Sequence, residues 1–407
     1  MKISIIGYDL RALSLTRLFL KEGHDISIVS GFQHTTFENI VNYPIFMPNI
    51  PQYEQVKNIK KIVDIIENIK PELIICLHIE SCEIGLVEVL RLRGFNTFGI
   101  NAECALLETS KNFGISFAEK SGFKIPNTTF VPFEKKEEYY YINLKDKIVI
   151  KEDGLSGGKG TYIVENKHDF INTIKNIKTD FLIQEYVKGE EIAVSLLFSN
   201  GKIHLLNINF EIKRKYNGDI GENTSGMGTI ARNVIDLNQQ DIIKKVLKNL
   251  PENLLNIKYY GAIDLNFIIN DKKEFVFLEF TCRFGDPELC SELLLINDIG
   301  KAFVDLANNN PLEISYKSSK WAVSIVARDI EKIIPISNVS ANNYIVDMLN
   351  FGNYDECCVS AYGDNYFELT ENIYTIFNKI LPKKSHYRTD IHESIENRWQ
   401  SFEEACK

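Results

Sequence analysis

At 407 residues the chain is too long for one simple core, so two to four subdomains are expected. Its 44% hydrophobic and 25% charged residues are ordinary for a soluble globular protein. A net charge of −9 argues against an extended nucleic-acid surface, which needs clustered basic charge. No apolar run approaches the ~20 residues that span a bilayer, and Met1 leads straight into what reads as a strand. A cytoplasmic protein with no nucleic-acid or membrane partner is expected. None of the eight cysteines form a Cys-x-x-Cys pair and the seven histidines are scattered, which disfavours a zinc site and suits reduced thiols.

Residues 1–109 alternate strand and helix. Lys2–Ile6, Asp25–Val29 and Leu73–Leu77 read as strands, and Leu10–Lys21 and Glu83–Arg93 have helical apolar spacing. This predicts a Rossmann-like domain with a parallel sheet. Tyr8-Asp9-Leu10-Arg11 follows Gly7 with no further glycine, so the dinucleotide fingerprint is missing and a bound NAD is not expected. Residues 110–187 read as a small α+β lid, opening with a helix at Lys111–Ser121 and closing with the strand Phe181–Val187. Period-two alternation over Ile192–Phe198, Ile203–Ile208, Ala262–Ile269 and Glu274–Phe280 predicts an antiparallel sheet within 188–310. Residues 311–407 form a last αβ segment. The class is thus α/β and α+β, multidomain.

Two segments carry the chemistry. Asp153-Gly154-Leu155-Ser156-Gly157-Gly158-Lys159-Gly160 follows the β-branched run ending at Lys151. Its glycines let backbone N–H groups approach phosphate oxygens, and Lys151 and Lys159 add compact positive charge. Downstream, the strand Phe275–Leu278 runs into Glu279, a carboxylate suited to Mg²⁺, and Arg283, suited to an oxyanion.

In this order the segments resemble the ATP-grasp ligases, and three stretches resemble the phosphoribosylamine–glycine ligase family in particular. They are Val149–Gly160, Glu211-Ile212-Lys213-Arg214 with Gly218–Gly228, and Arg283-Phe284-Gly285-Asp286-Pro287-Glu288. Tyr387–Ile391 echoes a further family element. The resemblance implies a Rossmann-like N-terminal domain (1–109), an ATP-grasp lid (110–187), an ATP-grasp central domain (188–310) and a small C-terminal domain (311–407). It implies ATP and Mg²⁺ (or Mn²⁺) as cofactors, and an amino acid and an amine as small-molecule substrates of a monomer or homodimer.

It also implies roles. Lys111, Lys151, Gly157, Gly158 and Lys159 would hold the nucleotide phosphates. Gln184, Glu185 and Val187 would form the adenine hinge, and Glu190 or Glu191 would meet the ribose hydroxyls. Arg283, Lys159 and Lys213 are the catalytic candidates. Arg11, Arg214, Asp219, Asn223, Gly226, Met227, Gly228, Gly285 and Asp286 are the substrate candidates. The family's metal pair is Glu-x-Asn; here it is Glu279-x-Thr281, with Asn266 as a further ligand or a structural polar residue, and Asp264 on its face.

The resemblance thins at both ends. The N-terminal glycine-rich turn keeps only Gly7 and Arg11, Leu77-His78-Ile79-Glu80 replaces Gly-Pro-Glu, and the C-terminal Gly-Gly-Arg element is absent. His78 and Glu80, at the end of a parallel strand, are either replacement contacts or packing residues. The amine acceptor is the least determined part: the expected reaction joins glycine to phosphoribosylamine. A diverged ligase using another amine, or a non-catalytic nucleotide-binding protein, are the alternatives.

Overall fold

The computed structural model describes residues 1–30, 41, 43–46, 58–141, 144, 146–155, 160–234, 236–308, 310–330, 343–350, 355–393 and 395–407. The first sheet is parallel, with β1 (Lys2–Ile6), β2 (Asp25–Ser30), β3 (Tyr43–Phe46), β4 (Leu73–Cys76) and β5 (Thr97–Phe98) in the order β3-β2-β1-β4-β5. Isoleucines dominate β1 and β4, and Ile3, Ile5, Ile74 and Ile75 are fully buried, because a parallel sheet is covered on both faces. The chain order reverses between β1 and β4, so the loops after both strands open on one crevice. The helix expected over Glu83–Arg93 is two, Ile79–Glu83 and Leu86–Leu92. Gly85, at φ +86°, sits in the left-handed region between them and breaks the run. The first of these helices begins at the strand end and carries Glu80 to the crevice.

The second sheet is the lid: β6 (Thr128–Val131), β7 (Ile148–Glu152), β8 (Thr161–Val164) and β9 (Phe181–Glu185), antiparallel in the order β6-β9-β7-β8. It has its own core, in which Ile150, Val164 and Phe181 pack on Phe170 and Ile174 of helix Lys167–Asn176. β9 stops at Glu185, two residues short of the expected end.

The third sheet holds β10 (Gly189–Ser199), β11 (Lys202–Tyr216), β12 (Ile220–Asn233), β13 (Gly261–Asn270) and β14 (Phe275–Thr281). A short pair, β15 (Ile296–Asn297) and β16 (Ser315–Tyr316), lies apart from it. The large sheet then continues through β17 (Trp321–Ile330), β18 (Tyr344–Asn350) and β19 (Asp355–Gly363). Its order is β14-β13-β10-β11-β12-β17-β19-β18, antiparallel throughout. Residues on either side of 310 therefore share one sheet, joined where β12 pairs with β17, and one core that includes Phe210, Ile325, Val359 and Phe377.

The Gly226-Met227-Gly228 run lies inside β12 rather than in a turn. A Cβ on Gly228 would stand 2.8 Å from the Ser324 carbonyl oxygen, so this glycine permits close strand approach.

Candidate active site

A cleft of about 620 Å³ lies where the three sheets meet. At the lid end, the carboxylate of Asp153, just past β7, accepts from the Lys111 backbone N–H at 2.5 Å and from Ser110 Oγ at 3.2 Å. This ties the start of helix Lys111–Lys120 to the lid, and Lys111 Nζ donates to the Gly154 carbonyl at 2.7 Å. Lys151 projects from β7 and donates to the Leu278 carbonyl at 3.0 Å. Burial lowers the Lys151 pKa, with the charge of Glu279 opposing. Lys213 on β11 sits between Glu191 (2.5 Å) and Glu211 (2.9 Å); burial opposes its charge, but these carboxylates win and push its pKa well up.

The candidate metal positions lie on the last two strands of the large sheet. Asn266 is the register partner of Glu279, and Asp264 that of Thr281, so strand pairing itself gathers all four. Asn266 Nδ2 donates to Thr281 Oγ1 at 3.5 Å, while its buried Oδ1 has no hydrogen-bond partner. An orphaned buried amide oxygen beside a carboxylate suits an oxygen-seeking cation. Among the described residues no three His, Cys, Asp or Glu side chains come together as a metal-holding group.

The far end of the cleft is built from four stretches. After β1, Asp9 caps helix Leu10–Lys21 and pairs with Arg11 at 2.5 Å; Arg11 also donates to the Phe284 carbonyl at 2.8 Å. Burial pushes Asp9 up, but the Arg11 and His78 charges outweigh it and hold its carboxyl well below the usual range. After β4, His78 stacks on Tyr8, ring centroids 4.5 Å apart, and burial lowers its pKa; its Nε2 is buried with no hydrogen-bond partner. After β14, Arg283 meets Glu108 at 3.5 Å, and that carboxylate also accepts the Cys282 backbone N–H at 2.6 Å. From β17, Arg328 donates to the Gly226 carbonyl at 2.9 Å and pairs with Glu356 of β19.

The structure brings many of the expected residues together. Arg11, Lys111, Lys151, Gln184, Glu185, Val187, Glu191, Lys213, Asn223, Gly226, Asn266, Glu279, Thr281, Arg283, Gly285 and Asp286 all border the cleft, as do His78 and Glu80. Gly157, Gly158 and Lys159 lie outside the described residues.

Others are corrected. Glu190 does not line the cleft: alternation along β10 turns it away from Glu191, and it sits 3.9 Å from Arg398. Arg214 donates to the Gly221 carbonyl at 2.7 Å and Asp219 pairs with Arg388 at 2.6 Å, so both brace the β11–β12 hairpin instead. Met227 is 1% exposed and part of the core, and Gly228 packs on β17. The Glu185 N–H is taken by the Asn127 carbonyl, so it is not free to pair with a base. Sequence reasoning missed Tyr8, Asp9, Glu108, Glu288, Arg328 and Glu356. Glu211, from the stretch Glu211–Arg214, also borders the cleft.

Residues 109–289 match the family model of the phosphoribosylglycinamide synthetase ATP-grasp (A) domain. A phosphoribosylamine–glycine ligase of Streptococcus suis is 28% identical over 260 residues, 60% of this chain and 61% of the relative. The chain thus matches somewhat under two thirds of such relatives' length. The Neisseria meningitidis enzyme of that name is 26% identical over 351 residues, 77% of this chain and 82% of its own. Among solved structures, Thermotoga maritima phosphoribosylamine–glycine ligase superposes with a TM-score of 0.73 at 20% identity, covering 96% of this chain and all of that one (100%). Campylobacter jejuni biotin carboxylase gives 0.75 at 15% identity, over 97% and 94% of the two chains.

The chain has the ATP-grasp fold. Within it, residues 109–289 are similar to the ATP-grasp (A) domain of phosphoribosylglycinamide synthetases.

Proposed function

We propose that the chain is an ADP-forming carboxylate–amine ligase, joining glycine to phosphoribosylamine through an acyl-phosphate. The observation that carries this is the meeting of Lys151, Glu279, Asn266 and Arg283 in one cleft beneath the lid. ATP lies under the lid with its base along Gln184–Val187, its ribose near Glu191 and its phosphates toward Lys111 and Lys151. Lys159 of the glycine-rich loop adds to these. Glu279, with Asn266 and Thr281, would hold Mg²⁺ (or Mn²⁺), which would supply positive charge to the nucleotide phosphates. The substrate carboxylate attacks the γ-phosphoryl group, and Arg283 and Lys213 face the charge that develops. Asn223, Gly226, Gly285 and Asp286 border the space left for the acyl group and the amine.

Glu108 fixes Arg283 by binding the neighbouring backbone N–H and the guanidinium with its two oxygens, so it acts as a positioning residue. No helix among the described residues is long and apolar enough to cross a membrane. We place the protein in the cytoplasm, as a monomer or homodimer acting on small molecules.

One observation favours a second reading in which the amine differs. Arg11, Arg283 and Arg328, at the acceptor end, all already hold internal carboxylates and carbonyls. A sugar 5-phosphate would have to share them. An assay of ADP release with single amino acids, with and without phosphoribosylamine, tests both. ADP release and amide formation that need both glycine and phosphoribosylamine support the first. Release that needs glycine and a different amine supports the second, and no amino-acid-dependent release removes both.

A further inference from the structure

We propose that Glu356 is the catalytic residue that takes the proton from the attacking amine. The inference rests on the ligase reading. Forming the amide makes one N–C bond and breaks the acyl carbon–oxygen bond to phosphate. The amine nitrogen must shed a proton as it attacks, and the phosphate leaves with the bonding electron pair. A base is therefore needed at the acceptor end, where β17 and β19 contribute Arg328 and Glu356 to the cleft wall.

Their geometry suits the task. Arg328 is fixed by the Gly226 carbonyl, to which Nε donates at 3.2 Å and Nη2 at 2.9 Å. Its Nη1 reaches Glu356 Oε1, so the backbone of β12 sets the direction of that carboxylate. The pair is largely shielded from solvent, with side chains 14% and 13% exposed. Burial pushes Glu356 up to about 7; Arg328 opposes, and the charges of Asp286 and Asp9 push the same way as burial. A carboxyl poised there can accept a proton near neutral pH and return it to released phosphate or to water.

Several neighbouring acids are less suited. Asp9 is held ionised by Arg11 and caps a helix, so it binds a proton poorly. Glu108 is occupied by Cys282 N–H and Arg283, and Glu211 by Lys213. Asp264 and Glu288 are 2% and 5% exposed, at the floor of the cleft. Asp286 has no arginine bonded to it to orient it: its Oδ1 is buried without a partner.

The test separates attack by an amine that must lose a proton to a base from attack by one that needs little help. The probes are glycine with phosphoribosylamine, and glycine with hydroxylamine, a strong nucleophile that is mostly unprotonated at neutral pH. Glu356→Gln is expected to lower amide formation about 10²-fold, the usual worth of a positioned base. Hydroxamate formation, which also requires ATP and the acyl-phosphate, should fall less than about threefold. Glu356→Asp should recover part of the amide rate. Equal losses with both nucleophiles, or no loss with either, overturn the proposal. Should Glu356→Gln fail to fold, the same pair of rates on Glu356→Asp decides, with a selective loss expected. If the wild-type chain forms neither hydroxamate nor amide, the ligase reading itself fails, an outcome distinct from an unaffected variant.

Discussion

The two ends of the cleft are built on different plans. At the lid end, the carboxylates and most of the cations come from strands, with Lys111 at the start of a helix, and Lys111 and Lys151 each donate to a single backbone carbonyl. At the acceptor end, every arginine is already paired, and the wall is assembled from loops after β1, β4 and β14 and from β17 and β19. Phosphate and Mg²⁺ impose a narrow chemistry, so the lid end needs lysines and acids at set strand positions. Amine recognition imposes no single donor set, so the other end can vary. Substitutions at the lid end should therefore stop turnover, whereas those at the acceptor end should sort one amine from another.

The largest break of this contrast is Lys151→Ala. Removing a buried cation proposed to face the transferring phosphoryl group is expected to cost roughly 10²–10³-fold in turnover with any amine. The measurement is ADP release under saturating substrates, with the melting temperature as a control. A loss confined to one amine would place Lys151 at the wrong end.

Glu279→Gln comes next. It should weaken ADP binding in the presence of Mg²⁺ by roughly 10–100-fold, at least the effect of disturbing a residue that supports a metal ligand. Binding of ADP without Mg²⁺ should change little, because the proposed place of the base is along Gln184–Val187, away from the carboxylate. Calorimetric titrations with and without the metal measure both. Equal weakening in the two would remove the metal role.

How much of this was legible in the sequence follows the same division. The lid end was readable because its residues fall in short motifs and because alternation puts Glu279 and Thr281 on one face. Alternation also misled where two acids were adjacent: nothing in Gly189-Glu190-Glu191 says which one turns inward until β10 is paired with β13. The hairpin of β11 and β12 hid a second difficulty. Arg214 and Asp219 look like ligand contacts, yet they are bound by Gly221 and Arg388, partners that only the folded chain reveals. Arg328 and Glu356 were unreadable for a similar reason, each standing beside one other charged residue (Asp329, Asp355) near the end of an otherwise apolar strand with no motif around it. The boundary at residue 310 did not show that β17–β19 extend the same sheet, since pairing between distant strands leaves no local signal.

Beneath the acceptor end lies a buried acid whose effect is on stability. Glu292 is fully buried, and its Oε1 accepts from Ser195 Oγ and Asn209 Nδ2, each at 2.5 Å. Burial raises it from its ordinary 4.5 to about 7, against those two hydrogen bonds. Below pH 4.5 both the folded and unfolded states hold the proton and the group contributes nothing to the pH dependence. Between 4.5 and 7 the unfolded chain releases it while the folded chain keeps it, so this group lowers stability as pH rises. Glu292→Gln should therefore raise stability at pH 8 by about 3 kcal/mol relative to its effect at pH 4. Denaturant titrations at the two pH values measure this, and an equal effect at both would show that the carboxyl does not titrate in this range.

The smallest expected effect is the sharpest test of the metal site. Thr281→Asn restores the Glu-x-Asn pair of the resembled family and should tighten apparent Mg²⁺ affinity by about 1 kcal/mol, roughly fivefold. Thr281 lies across from Asp264, and its hydroxyl already accepts from Asn266 Nδ2 at 3.5 Å. That long contact is weak, so losing it costs little. An amide oxygen at 281 reaches further than the hydroxyl, and the orphaned Asn266 Oδ1 remains available on the neighbouring strand. Initial rates across a Mg²⁺ titration give the apparent affinity. A loss of affinity in a well-folded variant would mean that Thr281 is fitted to a site centred nearer Asp264 and Asn266. The cation would then sit deeper in the cleft than the Glu-x-Asn pattern implies, and the phosphates would be shifted with it toward the acceptor end.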